Sequence, residues 1–363
     1  MNVLRLHQQV RFHFGYLRGI AYDISRNNYF FLPKGLVQVL CEYDGESLDC
    51  IEGKLKEIGI EFSHWLRLLL KEELVFECPE IFRNSFPPLD LVVQRPLKID
   101  TAVLYFTRVR SDIMDILERF GCQHVAILLR KTNLTELNKI WRIIDDISIT
   151  SVSLHFTTEV DHDWLTDIIT NASHKLRFVS VEGEGAENPI PSIPGSVSLH
   201  RLSPRFRLGY YQPCLILNQE VYLDALQRNV YFNRKIFIDE YGRIGCGDGY
   251  WSTQHKPNII AHALKDYLTA MDIPSIWSAR KDDIDICKDC ELRYMCVDPR
   301  IPKRRKDGTL FYENECAYNP YISKWHDQSG YLPLSDSGVY NSDQGVTIDH
   351  ERIAAINAEL WGE

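Results

Sequence analysis

The feature that most constrains this chain is a set of three closely spaced cysteines followed by a fourth. Cys287, Cys290 and Cys296 form a Cys-x2-Cys-x5-Cys pattern, and Cys316 follows after nineteen further residues. The short gap lets two sulfurs of one turn point at a common centre, and the longer gap returns the chain to that centre. Four thiolates complete the shell of one tetrahedral zinc ion or one cubane iron–sulfur cluster. The alternative, four unrelated free thiols, is disfavoured by this spacing in a cytosolic chain.

Length and composition are those of a soluble protein of two or three domains. The 363 residues are 45% apolar and 25% charged, and the net charge of −9 argues against a general nucleic-acid binder. No apolar run approaches the roughly 20 residues that a membrane span needs. The segment 1–10 carries too much charge for a signal peptide. Without an export signal, the ten cysteines indicate reduced thiols and a cytoplasmic location.

The first 80 residues predict a small domain of strands followed by three helices and a closing strand. The predicted elements are strands Arg11–Phe14, Ile20–Ile24 and Asn28–Pro33, helices from Lys34, Leu48–Ile58 and Ser63–Glu73, and strand Leu74–Glu77. This order describes a winged helix. It resembles the peptide-recognition element of ribosomal-peptide maturation systems, which has the fold of the pyrroloquinoline-quinone peptide chaperone. An ordinary structural winged helix is the alternative.

The resemblance implies a peptide-binding edge on this domain. Such domains add a leader peptide as an extra strand, so backbone hydrogen bonds supply much of the affinity. The candidate residues belong to the aromatic strand that precedes the first helix. They are Asn28, Tyr29, Phe30, Phe31 and Leu32.

The middle of the chain alternates strands and helices, which predicts a parallel sheet. A Pro-rich linker ends near residue 96. The predicted elements are strands Ala102–Phe106, Val125–Leu129, Ser151–Phe156 and Leu176–Val181, and helices Ser111–Phe120, Leu134–Ile147 and Asp163–Ser173. We expect half a βα barrel or less.

The cysteine block resembles the SPASM domain, the cluster-binding extension of radical-SAM peptide-modifying enzymes. In that family, three central cysteines and a last one hold an auxiliary cluster. The residues that match this set are Cys287, Cys290, Cys296 and Cys316.

Two departures from the family pattern bear on a second auxiliary cluster. The segment Phe232–Cys246 keeps a strand, an Asp-x-x-Gly turn and the closing Cys246, but Tyr231 stands where the family has its first cysteine. The stretch Val297–Arg300 has no cysteine where the central block should hold its fourth. The resemblance therefore implies one cluster site.

The cysteine motif of radical-SAM catalysis is missing. In the family a Cys-x3-Cys-x2-Cys motif follows the first barrel strand, whereas here that strand is followed by Thr107–Ser111. The only cysteines between residues 79 and 245 are Cys122 and Cys214. A cluster with one open iron needs three thiolates, so we expect neither S-adenosylmethionine binding nor radical catalysis.

Over nearly its whole length, the chain resembles the SPASM-domain peptide maturases of grasp-with-spasm systems. The shared features include Phe86–Pro88, the cysteine block, and Cys-x-Tyr-Asn-Pro-Tyr at Cys316–Tyr321. The resemblance implies two partners, a precursor peptide and an ATP-grasp ligase. It also implies an α/β fold of several domains. These are a winged-helix-like peptide-recognition domain (1–80), a linker (81–96), a degenerate radical-SAM-like partial (βα) barrel (97–212), a SPASM-like domain (213–325), and a tail with a helix (326–363).

We therefore expect a maturation factor for a ribosomally synthesised peptide that binds the precursor leader and works with an ATP-grasp ligase. Its cofactor would be one 4Fe–4S cluster, with one zinc ion as the alternative. Two other functions remain open. One is an iron–sulfur enzyme that modifies the precursor, with either Cys246 as a reactive thiol or the cluster as a redox centre. The other is a zinc-stabilised interaction protein. No nucleic-acid or membrane partner is expected.

Overall fold

The structure is a computed structural model, and its described residues fall into two compact units. It describes residues 2–92, 99–129, 134–158, 160–182, 198–202, 206–207, 210–245, 261–270 and 275–362. Unit 1 comprises Met1–Val93, Gly209–Val230 and Ala279–Glu363, and unit 2 comprises Gln94–Leu208 and Tyr231–Ser278. Within those residues, no helix is both long and apolar enough to cross a membrane.

The regular elements are numbered in chain order. The strands are β1 Asn2–Leu6, β2 Val10–Phe14, β3 Arg18–Asp23, β4 Asn28–Pro33, β5 Val75–Pro79, β6 Thr101–Tyr105, β7 His124–Leu129, β8 Ser151–Phe156, β9 Leu176–Glu182, β10 Ser198–Leu202, β11 Phe206–Arg207, β12 Tyr210–Tyr211, β13 Cys214–Leu215, β14 Lys235–Ile238, β15 Ile244–Gly245, β16 Cys296–Val297, β17 Lys303–Arg304, β18 Leu310–Phe311, β19 Tyr318–Asn319, β20 Lys324–Trp325, β21 Val339–Ser342 and β22 Gly345–Ile348. The helices are α1 Lys34–Glu42, α2 Leu48–Glu57, α3 Phe62–Lys71, α4 Ser111–Arg119, α5 Leu134–Asp145, α6 His162–Thr170, α7 Gln219–Ala225, α8 Ala261–Ala270, α9 Leu334–Ser337 and α10 His350–Trp361.

The N-terminal part of unit 1 confirms the predicted strand and helix order. β2, β3 and β4 form an antiparallel sheet, helices α1 to α3 follow, and β5 pairs with β1. Helix α2 begins where predicted, and the Ser47 hydroxyl accepts a hydrogen bond from the Cys50 N–H at 3.3 Å. That bond satisfies one of the backbone donors that a helix start leaves free.

The three-stranded sheet is covered on both faces. Leu32 on β4 and Ala21 on β3 belong to an apolar core with the buried residues of α1 to α3. Ile20 and Tyr22, which point to the other face, belong to a second core. That core includes Tyr222 from α7 and residues from the cysteine block. Because side chains alternate along a strand, one sheet serves both cores.

Polar contacts also attach the β2–β3 hairpin to the cysteine block. The Tyr16 N–H donates to the Asp289 carbonyl at 2.7 Å, and the Arg18 Nε donates to the buried Glu291 carboxylate at 2.6 Å. Gly15 lies so close to this segment that an added Cβ would stand 2.6 Å from the Glu291 nitrogen. Any larger residue at position 15 would therefore force the two segments apart.

Unit 2 is built on a seven-stranded sheet in the order β10-β9-β8-β7-β6-β14-β15. All neighbouring pairs from β10 to β14 are parallel, and β15 pairs antiparallel with β14. The interior of β6 to β8 is almost wholly apolar, as expected for strands covered on both faces. The structure thus confirms a mixed α/β fold with a parallel sheet.

One segment lies elsewhere than the sequence-based division assigned it. That division placed Phe232–Cys246 in the C-terminal domain, whereas β14 from this segment extends the parallel sheet of unit 2, beside β6. The sequence-based division into five parts remains a prediction. The C-terminal helix α10 is where it was expected, and its Ile353 is buried.

Candidate metal centre and peptide-binding edge

Irregular backbone positions the first three cysteines. Cys287 opens a single 3₁₀ turn, and the Cys290 N–H donates to its carbonyl at 3.0 Å. Cys296 begins β16, whose register sets it opposite Leu215 on β13. The x2 and x5 gaps of the sequence pattern are therefore a tight turn and a loop that returns to a short strand.

The fourth cysteine reaches the same place through a bridge to β12. The Tyr211 N–H donates to the Glu315 carbonyl at 2.9 Å, and the Ala317 N–H donates to the Tyr211 carbonyl at 2.8 Å. These two bonds flank Cys316. The Tyr318 N–H donates to the Cys316 sulfur at 3.5 Å, a contact that favours the thiolate over the thiol.

All four cysteines line one cavity of about 410 Å³, a volume that includes its part open to solvent. The other residues that line it are Pro213, Leu215, Lys281, Ile286, Leu292, Arg293, Arg300, Tyr318, Pro320 and Trp325. Within the described ranges, no group of three or more His, Cys, Asp or Glu side chains is placed to hold a metal ion as it stands. The thiols thus surround a common space without converging on one point.

Ile286, directly before the first cysteine, has an unusual backbone conformation. Its φ of 69° lies in the left-handed region, which β-branched residues avoid. Its ψ of −47° gives it a strained γ-turn geometry. Strain of this kind persists only where the surroundings hold it, and it concentrates at functional sites.

Two cations and one carboxylate are buried beside the thiols. The Lys281 ammonium lies 2.5 Å from the Asp298 carboxylate and 4.0 Å from the Cys287 sulfur. Arg300 binds the same carboxylate through Nη2 at 2.7 Å and Nε at 3.0 Å. Burial opposes protonation of Lys281, but the nearby Asp298 charge raises its pKa well above the usual value. Burial acts against ionisation of Asp298 too, yet Lys281 and Arg300 lower its pKa to about 2. The trio carries one excess positive charge.

That excess charge fits a site for thiolates. Burial raises the pKa of Cys290 and Cys296 well above normal and that of Cys316 to about 11, so without a metal these thiols stay protonated at neutral pH. A bound metal takes thiolates and releases the protons. The resulting negative charge then has Lys281 and Arg300 as buried counter-charges. The donor set therefore fits either a 4Fe–4S cluster or zinc, held by the four cysteines.

The predicted peptide-binding residues lie on β4, and they divide between its two faces. Tyr29 and Phe31 are exposed and meet edge to face, with ring centroids 5.4 Å apart. The Arg18 guanidinium lies 3.4 Å above the Phe31 ring. Phe30 packs against the helix-side core, and Leu32 is buried in it. The side chain of Leu32 is thus unavailable to a ligand.

The register defines which backbone groups of β4 face outward. The Ile24 N–H donates to the Gln9 carbonyl, so Ile24, Tyr22 and Ile20 direct their backbone groups toward β2. The alternate residues of β3 then bond β4 through Asn28, Phe30 and Leu32. Tyr29 and Phe31 consequently direct their N–H and C=O groups away from the sheet. In the part of the chain that the structure describes, β4 pairs only with β3.

A cleft of about 480 Å³ opens beside the start of β4. Its lining residues are Asp23, Arg26, Asn28, Phe30, Lys71, Glu72 and Glu73. The last three belong to the end of α3 and the residues after it. An extended segment added to β4 would pass this cleft.

The sequence reasoning missed the buried charges at the cysteine cavity. The sequence pattern marks Val297–Arg300 only as a stretch that lacks the family's cysteine, and it assigns no role to Lys281. The sequence does contain a signal for this charge cluster: Lys281 lies just before the cysteine block, and Asp298–Arg300 lies just after Cys296. Cys246 lies outside the described residues. Tyr231, at the place of the family's first cysteine, has the Lys235 ammonium 3.6 Å above its ring.

Comparisons with known proteins give only distant similarities. No protein-family profile and no curated protein matches the chain. Three solved structures of Streptococcus suis SuiB are similar to 81% of this chain and 94% of their own. They are SuiB bound to S-adenosylmethionine, with a TM-score of 0.31 and 9% identity, SuiB alone, with 0.29 and 9%, and SuiB bound to precursor peptide SuiA, with 0.28 and 10%. At these scores the similarity supports no argument about this chain.

Proposed function

We propose that the chain is a maturation factor for a ribosomally synthesised peptide. It binds the leader of a precursor peptide and presents the rest to an ATP-grasp ligase in the cytoplasm. It performs no radical-SAM catalysis of its own. The observation that supports this proposal best is the outward-facing edge of β4, which combines exposed aromatic side chains with backbone groups directed away from the sheet.

A peptide in extended conformation would extend the sheet at this edge. Its backbone would bond both outward groups of Phe31 and the C=O of Tyr29, which gives affinity with little dependence on sequence. The Tyr29 N–H already donates to the Asn28 side chain at 2.9 Å. Specificity would come from side chains that enter the cleft beside Asn28 and Phe30. Lys71 with Glu72 and Glu73 provides charges of both signs there.

The four cysteines would hold one 4Fe–4S cluster whose role is structural. Such a group crosslinks segments that have little regular structure, and thiolate clusters can also transfer electrons. Lys281 and Arg300 would balance the charge of the cluster. The hairpin at Gly15 contacts the Asp289–Glu291 segment, so binding of the cluster would affect the position of the hairpin. The alternatives, a zinc-stabilised interaction protein and an iron–sulfur enzyme, differ in metal content and in turnover of the precursor.

A proline substitution in β4, compared with alanine at the same position, tests peptide binding. We expect the full-length protein to bind the precursor peptide encoded beside it, measured by isothermal titration. Phe31→Pro removes an outward donor, so affinity should fall by about 1 kcal/mol plus strain, or roughly tenfold. Phe31→Ala keeps the N–H and should lose much less.

Two results would refute this assignment. One is equal affinity for Phe31→Pro and the unmodified protein while circular dichroism shows both folded. The other is a greater loss of peptide affinity for Phe31→Ala than for Phe31→Pro, because that would make the side chain, rather than the edge, the binding element.

Production of 5′-deoxyadenosine from S-adenosylmethionine by the reduced, iron-loaded protein would refute the absence of radical catalysis.

A further inference from the structure

A third cavity of unit 1 lies along β2, away from the β4 edge. Its volume is about 350 Å³, which is within the range of ligand-binding pockets. The residues that line it are Leu6, His7, Gln8, Val10, Arg11, Phe12, His13, Cys41, Asp44, Leu91, Tyr222 and Leu226. The wall is mostly apolar with a few polar groups, as expected of a site for a small molecule or a short peptide segment.

Arg11 is the unusual residue of this cavity. Its Nε and Nη2 are both buried and have no hydrogen-bond partner among the residues that the structure describes. Buried guanidinium nitrogens without a partner are costly, because desolvation is not offset by a bond. Nε and Nη2 also form one side of the guanidinium fork. That side presents two parallel N–H donors to a planar group with two acceptor oxygens.

The other polar groups of the cavity do not neutralise Arg11. Asp44 already accepts from the Leu6 N–H at 2.9 Å and lies 3.2 Å from the Arg5 Nε. Burial lowers the pKa of His13 to about 3, and burial also lowers the pKa of His7. Both imidazoles are therefore neutral at pH 7. The cavity holds one uncompensated positive charge.

We propose that this cavity binds a ligand carboxylate, toward which the buried Arg11 guanidinium turns to offer Nε and Nη2 side-on, with an apolar part of the ligand against Leu91 and Leu226. A carboxylate carries one charge in a planar, two-oxygen group, and so matches one free guanidinium fork. A phosphate dianion would leave a negative charge uncompensated. An acidic side chain of a peptide and a peptide C-terminus supply the same group. The site is separate from the β4 edge and does not depend on the proposed function.

Three short peptides distinguish the sources of the carboxylate, by isothermal titration with the full chain at pH 7. They are acetyl-Leu-Glu-Leu-amide, acetyl-Leu-Gln-Leu-amide, and acetyl-Leu-Gln-Leu with a free C-terminus. We expect saturable binding of at least one carboxylate-bearing peptide, and affinity for the amidated Gln peptide at least about tenfold weaker. Whichever carboxylate peptide binds more tightly identifies the source. Inorganic phosphate serves as the competing anion.

Variants assign the effect to Arg11. Arg11→Gln should weaken binding of the carboxylate peptide at least about tenfold, whereas Lys56→Gln, which removes an exposed positive charge from the same domain, should leave it unchanged. Leu91→Trp fills the cavity from its wall and should also abolish binding, so the test does not depend on Arg11→Gln folding well. Circular dichroism monitors the fold of each variant.

Several outcomes would overturn the proposal. The Gln amide peptide binding as tightly as the others would remove the role of the carboxylate. Unchanged affinity in folded Arg11→Gln or Leu91→Trp protein would place binding elsewhere. Tighter binding of phosphate than of any carboxylate peptide would replace the proposed ligand class, and no saturable binding by either carboxylate peptide would reject the site.

Discussion

The parallel sheet of unit 2 and the cysteine region of unit 1 are ordered by different means. Strands β6 to β9 pair over five or more residues each and enclose an apolar interior. Their buried polar side chains are neutral. His124 bonds Ser151 at 2.8 Å and Ser153 at 3.1 Å, and burial lowers the pKa of His124. Backbone ladders and apolar packing suffice there.

The cysteine region has 3₁₀ turns and strands of two residues, and it relies on buried ions. Asp298 binds Lys281 and Arg300, Asp285 binds Arg305, and Glu291 binds Arg18. Buried ion pairs add little net stability, but each partner is costly to lose because the other is left unpaired. The comparison shows that the order of this region depends on a few buried charged groups, to which the proposed metal would add. Damage to either should be local and severe.

The largest expected effect is removal of the metal proposed for the four cysteines. Cys290→Ser should lower metal content, from about four iron atoms per chain if the group is a cubane or from one zinc. It should also abolish hydrogen-exchange protection across residues 279–325, because metal binding contributes directly to folding. Metal analysis and exchange mass spectrometry measure the two effects.

The matched control is Cys122→Ser, because Cys122 is a buried cysteine that lies in unit 2. It should leave metal content and protection of unit 1 unchanged. Equal metal loss in the two variants would mean that the four cysteines are not the binding set.

A smaller effect is expected from breaking the buried charge trio. Asp298→Asn keeps the shape of the side chain but leaves Lys281 and Arg300 facing each other without a carboxylate. The free energy of unfolding should fall by about 3 to 5 kcal/mol. A denaturant titration of the protein, followed by spectroscopic signals from unit 1, measures this change. Asp283→Asn breaks only an exposed pair with Arg280 and should change stability by less than about 1 kcal/mol. Similar losses in both variants would contradict the dependence on buried charge.

The smallest effect concerns acid sensitivity. The unfolded chain protonates His13 below its ordinary pKa of 6.5, whereas burial keeps the folded residue neutral down to about pH 3. Stability from this residue is therefore fully present above pH 6.5 and is lost as pH falls toward 3. At pH 5 the loss is about 2 kcal/mol.

His13→Gln can still bond the Tyr222 hydroxyl, now 2.7 Å from His13 Nε2, but cannot take up the proton. Its melting temperature should fall less steeply than that of the unmodified protein between pH 6.5 and pH 4. Parallel curves for the two proteins would show that His13 is not the group responsible.

Local patterns in the sequence predicted most of the elements. The strands and helices from β6 to β9 begin and end within a few residues of their predicted bounds, because period-two and period-3.6 patterns are local properties. The cysteine spacing likewise identified the four side chains that share a cavity. Both regularities depend on residues close together in the chain.

Long-range pairings were not predictable in this way. Nothing local relates Tyr22 to the Glu291 carbonyl that it bonds, or Lys281 to Asp298. The basic run at Lys303–Lys306 has the composition of a solvated loop, yet its Arg305 is buried against Asp285. A charged residue becomes a core residue only when tertiary packing supplies its partner.

The close contact at Gly15 has a thermodynamic consequence. The hairpin that carries Gly15 and Arg18 continues into β4, and it is attached to the Asp289–Glu291 segment between two cysteines. A metal that orders this segment would therefore also order the sheet. Linkage then requires the reverse: peptide bound at β4 would increase metal affinity by the same factor by which metal increases peptide affinity. An apoprotein would bind its peptide more weakly, and a peptide-bound protein would release its metal more slowly to a chelator.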